Sequence, residues 1–556
     1  MARTTSRPKA AELPQRGYRD LQEHLAALDA AGLLVTIDQP VNKDTELHPL
    51  VRWQFRGGIA EADRRAFLFT NVTDSRGRSF DIPVVVGALA ANKEIYRTGL
   101  GVPLEDIGPL WARAMGNPIP PNMVTHAPCQ EVVITGHDLM GENKGLDALP
   151  VPISTPGYDA APYFTATLVV TRDPETGVQN MGTYRAGLKA SNRLAVRMAS
   201  RTGGAGGYLH WLKCKERGEK TMPCAVVVGA PPVVAYLGPQ KLSPARDEVE
   251  VAGALAGAPI NMVRCKTNDL TVPAEAEMVI EGVVDVEYLE PEAPFGESHG
   301  HIALEDYNMI FEVTAITMKA KPVLASIISQ VTPSESSVIK RVAYEPMFLA
   351  HLRETLGIGG VLRVVLHEPL TNIRKVIFVV MERGVPRTEV WRALYGTASL
   401  RADCGKYVIA VNDDIDPDNG DAVFWALAYR ANVLADVEVL HHRPRGHGPK
   451  SGNETEDGSL LIDATLKGDM PPLALPKREF MDGAKVLWES LGLAPLAAEQ
   501  PWHGYDLGDW FEAWDQAAKR AVAGDYAENG RRTAQRRVKD VIPETPVRTV
   551  EGDPKL

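Results

Sequence analysis

Between Leu289 and Gly300 the chain reads LEPEAPFGESHG, which sets Glu290, Glu292 and Glu297 among two prolines, two glycines and a histidine. Pro291 and Pro294 remove backbone donors and fix φ, so the stretch cannot be a helix. Gly296 and Gly300 punctuate it further. The residues predict a rigid connection bearing acids. Two readings stand side by side: a solvated acidic turn, or a pair of carboxylates positioned for proton transfer.

Four other stretches carry chemistry-bearing residues. NMGTYR, Asn180 to Arg185, follows a strand. A buried arginine there would hold an anion or a carboxylate, whereas an arginine at an exposed strand end would do neither. RTGGAGG, Arg201 to Gly207, has glycines that let backbone N–H groups approach a phosphate, and is equally a flexible turn. In RDEVEVAGALAG, Glu248 opens a helix, where a carboxylate complements the dipole or binds a cation. HHRPRGHGPK, residues 441–450, begins with two adjacent histidines whose side chains diverge, which favours a basic loop over a metal site. Taken singly, none of the four decides the function.

The elements that must position these groups read as several domains, as 556 residues require. DLQEHLAALDAAG places Leu21, Leu25 and Leu28 at helical spacing before Gly32, and LLVTI follows as a strand, so an α/β domain runs to about residue 125. Short β-rich runs separated by Gly and Pro fill 130–330: EVVIT, FTATLVVT, CAVVVGA, MVIEGVVDVEYL and IFEVTAITM. They predict a barrel-like or sandwich domain, interrupted by helical patterns at NRLAVRMAS and EVEVAGALAG. Strands then alternate with helices: VLRVVLHE, KVIFVVME, KYVIAVNDD, DAVFWALAYRANV and VEVL make a second α/β domain. FMDGAKVLWESLG and DWFEAWDQAAKRAV read as amphipathic helices, and a charged arm with RRTAQRRVK (531–539) follows. The basic N-terminus, lacking an apolar core, reads as a flexible tail rather than a signal.

Composition narrows the function classes. A net charge of −11 favours neither nucleic acid nor an anionic membrane. No apolar run reaches the length of a membrane span. The five cysteines, Cys129, Cys214, Cys224, Cys265 and Cys404, are scattered without a CxxC, which fits a reducing cytoplasm and excludes a zinc knuckle or a disulfide framework.

The order of the motifs is more telling than any one of them. NMGTYR, DEVEVAGALAG, CKTNDLTVPAEAEMVIEG (265–282), PEAPFGE and LIDATLK (461–467) succeed one another along the chain. In this it resembles the UbiD family of reversible decarboxylases, which use prenylated FMN. The resemblance runs from about Asp20 to Lys467. It implies an α/β multidomain protein: a tail (1–17), an N-terminal α/β domain (18–125), a split β-barrel that binds the flavin (126–330), a C-terminal α/β oligomerisation domain (331–475), and a helical extension with a charged tail (476–556).

The resemblance also implies roles. Arg185, Glu292 and Glu297 correspond to the catalytic arginine and two acids, while Glu290 matches no catalytic position. Removing CO2 from an sp² carbon leaves electrons that no side chain can accept, so a cofactor has to. The family forms a covalent substrate–flavin adduct, loses CO2 and protonates the same carbon. Arg185 would hold the substrate carboxylate and keep Glu292 ionised. Glu297, with the raised pKa of a carboxyl in a closed pocket, would deliver the proton. Asn180 and Glu248 match ligands of a divalent metal, usually Mn2+, which with K+ neutralises the flavin phosphate. The third ligand is commonly a histidine, and that position here is Arg201, which cannot ligate a metal; either water or another residue fills the site, or Arg201 pairs directly with the phosphate. His210 is near in sequence without a spacing that recommends it. Thr183, Tyr184 and Arg185 would touch the flavin, with Arg197, Met198 and Ala199 on a following helix and Gly203 by the phosphate. Lys406 would reach the phosphate or the substrate, and Ser298 and His299 would line the pocket.

The implied substrate is an aromatic or α,β-unsaturated acid. FGESHG departs from the PYGDHTG of the ubiquinone-pathway members, which argues against their substrate. An aryl-CoA ester of the phthaloyl-CoA kind, net carboxylation, a non-catalytic flavin-binding or assembly subunit, and a metal-dependent hydrolase are the alternatives. The absence of a close His pair at ligand spacing weakens the last. Homo-oligomers, dimers or hexamers, and a flavin prenyltransferase as cofactor supplier are the expected partners.

Overall fold

The computed structural model describes residues 16–198, 206–240, 242, 247–292, 294–444, 456–468, 470–496, 504, 507, 508, 510 and 512–537. Near the N-terminus, Leu21–Ala30 is the helix that the leucine spacing requires. Asp20 caps it by accepting from the Glu23 N–H while Glu23 returns the bond, and Gly32 takes up the left-handed backbone that ends it. Strands Leu34–Ile37, Ala66–Phe69 and Val84–Val86 form a sheet that is completed by Leu324–Ser326. The chain therefore leaves this layer near residue 86 and returns to it only after the central sheet is finished.

The central sheet takes nine strands: β1 (Val132–Thr135), β2 (Tyr163–Phe164), β3 (Thr167–Arg172), β4 (Gln179–Gly182), β5 (Ala186–Ala190), β6 (Arg193–Val196), β7 (Thr221–Val228), β8 (Met278–Glu292) and β9 (Asp306–Met318). Their order is β4-β3-β7-β8-β9-β6-β5-β2, with β1 also paired to β9. This is an open path, and the pairings among the described residues close no barrel. Val226, Val228, Ile280, Val284, Phe311 and Ile316 lie within its core.

Three acids of the PAEAEMVIEG run are fully buried, and each is consumed by the fold. Glu275 accepts from the Tyr18 hydroxyl at 3.0 Å and from Asn261 at 2.8 Å. Glu277 pairs with Lys319 at 2.8 Å. Glu281 accepts from the backbone of Lys266 and Thr267, pinning the CKTND loop. Buried carboxylates need such donors, so these acids are structural.

Two local expectations are corrected. The described part of NRLAVRMAS is not helical: Arg193–Val196 is strand β6, paired to β5 on one side and β9 on the other. A short apolar run fits either period, and two waiting strand edges decide it. Arg197 and Met198 consequently follow a strand rather than lie on a helix. The stretch that opens LEPEAPFGESHG is no simple connection either, because β8 runs on through Glu290, Pro291 and Glu292, opposite Asn308, Tyr307 and Asp306.

Helices α1 (Gly206–Glu216) and α2 (Glu248–Ala256) follow β6 and β7, and α3 (Glu335–Ala350) follows the last strand of the first sheet. Further on, Val361–Leu366, Val376–Met381, Tyr407–Asn412, Glu456–Asp463 and Val437–Pro444 form a five-stranded sheet in that order. Two compact units result, one of Met1–Val379, Arg392–Val408 and Glu438–Leu461, the other of Val380–Trp391, Ile409–Val437 and Ile462–Leu556. The second holds the amphipathic helices Arg478–Ser490 and Glu512–Val522. A third helix, Tyr526–Gln535, takes up the start of the expected charged arm. All five cysteines are buried and unpaired. Among the described residues no helix is long and apolar enough to cross a membrane.

Candidate active site

Glu292, the last residue of β8, is fully buried, and Arg185 reaches it from the turn between β4 and β5. The guanidinium grips it in a two-pronged fork, Nε to Oε1 and Nη2 to Oε2, both at 2.7 Å. The third prong, Nη1, donates to Glu297. Glu297 is delivered by a hairpin: Phe295–Gly296 pairs with Ile302–Ala303, the Glu297 N–H bonds to the His301 carbonyl, and Gly300 supplies the positive φ of the turn. The separation of four residues between the two acids thus puts one at a strand end and the other across a turn, both against one arginine.

The remaining partners of Glu292 come from elsewhere in the chain. The Tyr163 hydroxyl on β2 donates to Oε1 at 2.9 Å, and Asn308 Nδ2 on β9 donates to Oε2 at 3.1 Å. Arg197 approaches Glu297 at 3.9 Å and Glu292 at 4.0 Å. Its N–H bonds to the Arg185 carbonyl, which fixes the two arginines side by side. Phe295 lies beneath the Arg185 guanidinium at 4.7 Å. Burial opposes the charge of Arg185, but the Glu292 bonds and the Glu297 charge outweigh it, and its pKa is raised. Burial, reinforced by Glu292, pushes the Tyr163 hydroxyl well up, so it serves as a donor.

The cluster opens onto a cavity of about 540 Å3, within the usual range of cofactor and ligand sites. Asn180, Thr183, Tyr184, Arg185, Arg197, Glu248, Glu297 and Ser298 line it. Glu292 stands behind Arg185, and Met198 is buried beneath Gly207. Ala199, Arg201 and Gly203 lie outside the described residues, as do residues 445–450 of the histidine-rich loop. Lys406 lines a separate small groove and is paired with Asp457 at 2.8 Å. Glu290 pairs with Arg193 at 2.5 Å.

Glu248, which also lines the cavity, opens α2 and accepts from the Met181 N–H at 3.1 Å, next to Asn180. Burial raises its pKa to about 7, against the backbone donors that hold it. The Asn180 amide nitrogen is buried without a partner, and a half-turn of the amide would offer its oxygen there instead. A carboxylate and an amide oxygen that line the same wall of the cavity suit a hard cation. No group of three His, Cys, Asp or Glu gathers among the described residues. His210, on α1, also lines the cavity, with Nδ1 2.9 Å from the Thr171 hydroxyl. Sequence spacing gave no reason to choose it. Lys340, Tyr344 and Arg374 were equally missed; the one trace of them is the i, i+4 placement of Lys340 and Tyr344 on α3.

Residues 122–331 match the family model of the 3-octaprenyl-4-hydroxybenzoate carboxy-lyase Rift-related domain, and residues 339–464 match that of the carboxy-lyase C-terminal domain. Among solved structures, the UbiD-class enzyme HmfF from Pelotomaculum thermopropionicum in complex with FMN is 28% identical, with a TM-score of 0.71 over 83% of this chain and 96% of that one. An evolved dimeric form of HmfF in complex with prFMN is 27% identical, with a TM-score of 0.70 over 82% of this chain and 97% of that one. Vanillic acid decarboxylase from Sedimentibacter hydroxybenzoicus, in open form, shares the fold at 23% identity, with a TM-score of 0.69 over 85% and 99% of the two chains. The chain belongs to the UbiD family of carboxy-lyases.

Proposed function

We propose that this protein is a reversible, non-oxidative decarboxylase of an aromatic or α,β-unsaturated carboxylic acid, working with prenylated FMN bound in the cavity that Arg185, Glu297 and Glu248 line. The observation that carries the reading is the buried Arg185–Glu292–Glu297 cluster at the wall of that cavity. The HmfF relative in complex with prFMN supports the choice of cofactor.

When bound, the prenylated flavin supplies the electron sink that no side chain offers. Thr183, Tyr184, Arg185 and Arg197, which line the cavity, would hold it; the family resemblance adds Met198, Ala199, Arg201 and Gly203 to the expected flavin and phosphate contacts. Asn180 and Glu248 would hold a divalent cation, Mn2+ by preference, which with K+ would neutralise the flavin phosphate. Glu292 is an acceptor for four donors and keeps Arg185 aimed. The N–H at Arg185 Nη1 is the one an incoming substrate carboxylate takes. That anion competes with Glu297 for the same donor and frees the Glu297 carboxyl to take up a proton. Glu297 then gives this proton to the carbon that has lost CO2. Net carboxylation is the same path reversed.

In this reading residues 126–330 are the flavin-binding domain and 331–475 the oligomerisation domain, and the protein assembles as a dimer or hexamer. A flavin prenyltransferase supplies the cofactor. An intact cluster of one arginine and two acids argues against a non-catalytic flavin-binding or assembly subunit.

The test is CO2 release from a panel of aryl, heteroaryl and acrylic acids, and of aryl-CoA esters, by protein co-produced with a flavin prenyltransferase. Release with at least one acid, lost in Glu297→Gln while flavin is retained, is expected. Unchanged release in Glu297→Gln would remove that residue from the chemistry.

A further inference from the structure

The hairpin that carries Glu297 is two residue pairs deep, Phe295 against Ala303 and Gly296 against Ile302. A two-stranded ribbon of that length does not hold a side chain in place by itself, so its root has to be fixed from elsewhere. The loop STPGYDA, Ser154 to Ala160, is stitched to it on both sides of Phe295. The Ala160 N–H donates to the Pro294 carbonyl at 3.1 Å, and the Gly296 N–H donates to Asp159 Oδ1 at 2.9 Å. Asp159 Oδ2 accepts from the Ser154 N–H at 3.1 Å and the Thr155 N–H at 2.7 Å. One half-buried carboxylate therefore closes its own loop and ties that loop to the hairpin. Burial pushes the Asp159 pKa up, and these backbone donors oppose the shift.

Gly296 is confined from a second direction. A Cβ there would collide with Thr155 Oγ1 and stand 3.0 Å from Gln330 Cγ. Gln330 is buried, and Arg52 of helix Leu47–Arg56 grips it, Nη2 to Oε1 at 2.6 Å and Nη1 to the main-chain carbonyl. Asp159, Gln330 and Arg52 all stand outside the cavity wall. The residues on either side of Gly296 do not: Phe295 lines the cavity with its ring under Arg185, and Glu297 meets Arg185 Nη1. The backbone that Asp159 holds is thus the backbone that aims the acid.

We propose that Asp159 is a positioning residue for proton transfer: through the Gly296 N–H it holds the Glu297 carboxyl at Arg185, without touching substrate or flavin. A misplacement of about 1 Å at a reacting group costs roughly a hundredfold in rate, and a hairpin released at Gly296 is free to move that far. The role rests on the decarboxylase reading given above and adds to it the group that aims its proton donor.

The test uses Asp159→Ala, Asp159→Asn and Gly296→Ala in the full-length, flavin-loaded protein. Steady-state kinetics are measured on an acid that the wild type decarboxylates. In Asp159→Ala, kcat should fall roughly thirtyfold or more while KM stays within about twofold. Asp159→Asn keeps one acceptor oxygen and should lose less. Gly296→Ala leaves the carboxylate intact but displaces the same backbone, and should resemble Asp159→Ala. Hydrogen–deuterium exchange read by mass spectrometry follows the clamp without turnover. Peptides over 294–303 should exchange faster in Asp159→Ala, while those of β8 and β9 keep their wild-type protection. Circular dichroism separates loss of fold from loss of the clamp. Unchanged kcat in Asp159→Ala, a rise in KM that matches the fall in kcat, loss of flavin, or wild-type exchange over 294–303 would overturn the role. If the wild type releases CO2 from no acid, the decarboxylase reading fails and exchange alone decides the clamp. Faster exchange in Asp159→Ala then leaves the clamp standing, and wild-type exchange removes it. CO2 release by Asp159→Ala with wild-type kinetics would do the reverse, sparing the reading and removing the positioning role.

Discussion

Arg185→Met is the most informative single perturbation, because the structure fixes what it leaves behind. Glu292 is 1% exposed and would lose both prongs of its fork, keeping the neutral donors Tyr163 and Asn308 and the more distant Arg197 guanidinium at 4.0 Å. Removing one partner of a buried ion pair costs about 3–5 kcal/mol, mostly for the charge left uncompensated. In a cooperative unit of several hundred residues, roughly 1 °C of Tm accompanies each kcal/mol, so calorimetry should show a fall of about 3–5 °C. Arg185→Met/Glu292→Gln removes the orphaned charge along with the arginine. Its fall should be smaller than the sum of the single changes by roughly 2 °C, the signature of direct coupling. On the proposed mechanism, turnover should be lost in all three variants. Additive Tm changes, or an Arg185→Met protein as stable as the wild type, would refute the view that Glu292 depends on this arginine.

Tyr163→Phe removes one buried donor from Glu292 and should cost about 1–3 kcal/mol, with kcat falling more than KM rises, as steady-state kinetics would show. A Cβ on Gly206 would collide with Asn180 Oδ1, so Gly206→Ala should displace Asn180 and weaken flavin retention, read by absorbance after gel filtration, with the fold intact. Chelation of divalent metal should lower flavin affinity, and Glu248→Gln should mute the effect, both measured by fluorescence titration. Burial lowers the His48 pKa to about 3 and the His24 pKa to about 4. Each is neutral in the folded state and gains protons on unfolding below pH 6.5, so stability present above that pH is lost as pH falls. His48 alone should cost roughly 3 kcal/mol between pH 6.5 and 4, and urea midpoints of His48→Asn should fall less steeply over that window.

The sequence made the centre of the site legible and its surroundings opaque. Arg185, Glu292 and Glu297 sit in two short motifs whose own turns aim them, so local residues carry the information. Tyr163 and Asn308 reach Glu292 from other strands, and a tyrosine or asparagine in a strand announces no partner. Lys340 reads as one more polar residue of an amphipathic helix until the cavity beside it is seen. The run PAEAEMVIEG helps to carry the family resemblance, and its carboxylates serve the fold, binding Asn261, Lys319 and the backbone of residues 266 and 267. NRLAVRMAS misled because four residues do not distinguish a strand from a helical turn, and the neighbouring strand edges that decide are distant in sequence.

Mass spectrometry of the cofactor released from full-length protein, co-produced with a flavin prenyltransferase and shown to be folded, tests the central claim without knowledge of the substrate. Prenylated FMN in near-stoichiometric amount is the predicted result. Folded protein, supplied with divalent metal and K+, that retains no flavin would contradict the account.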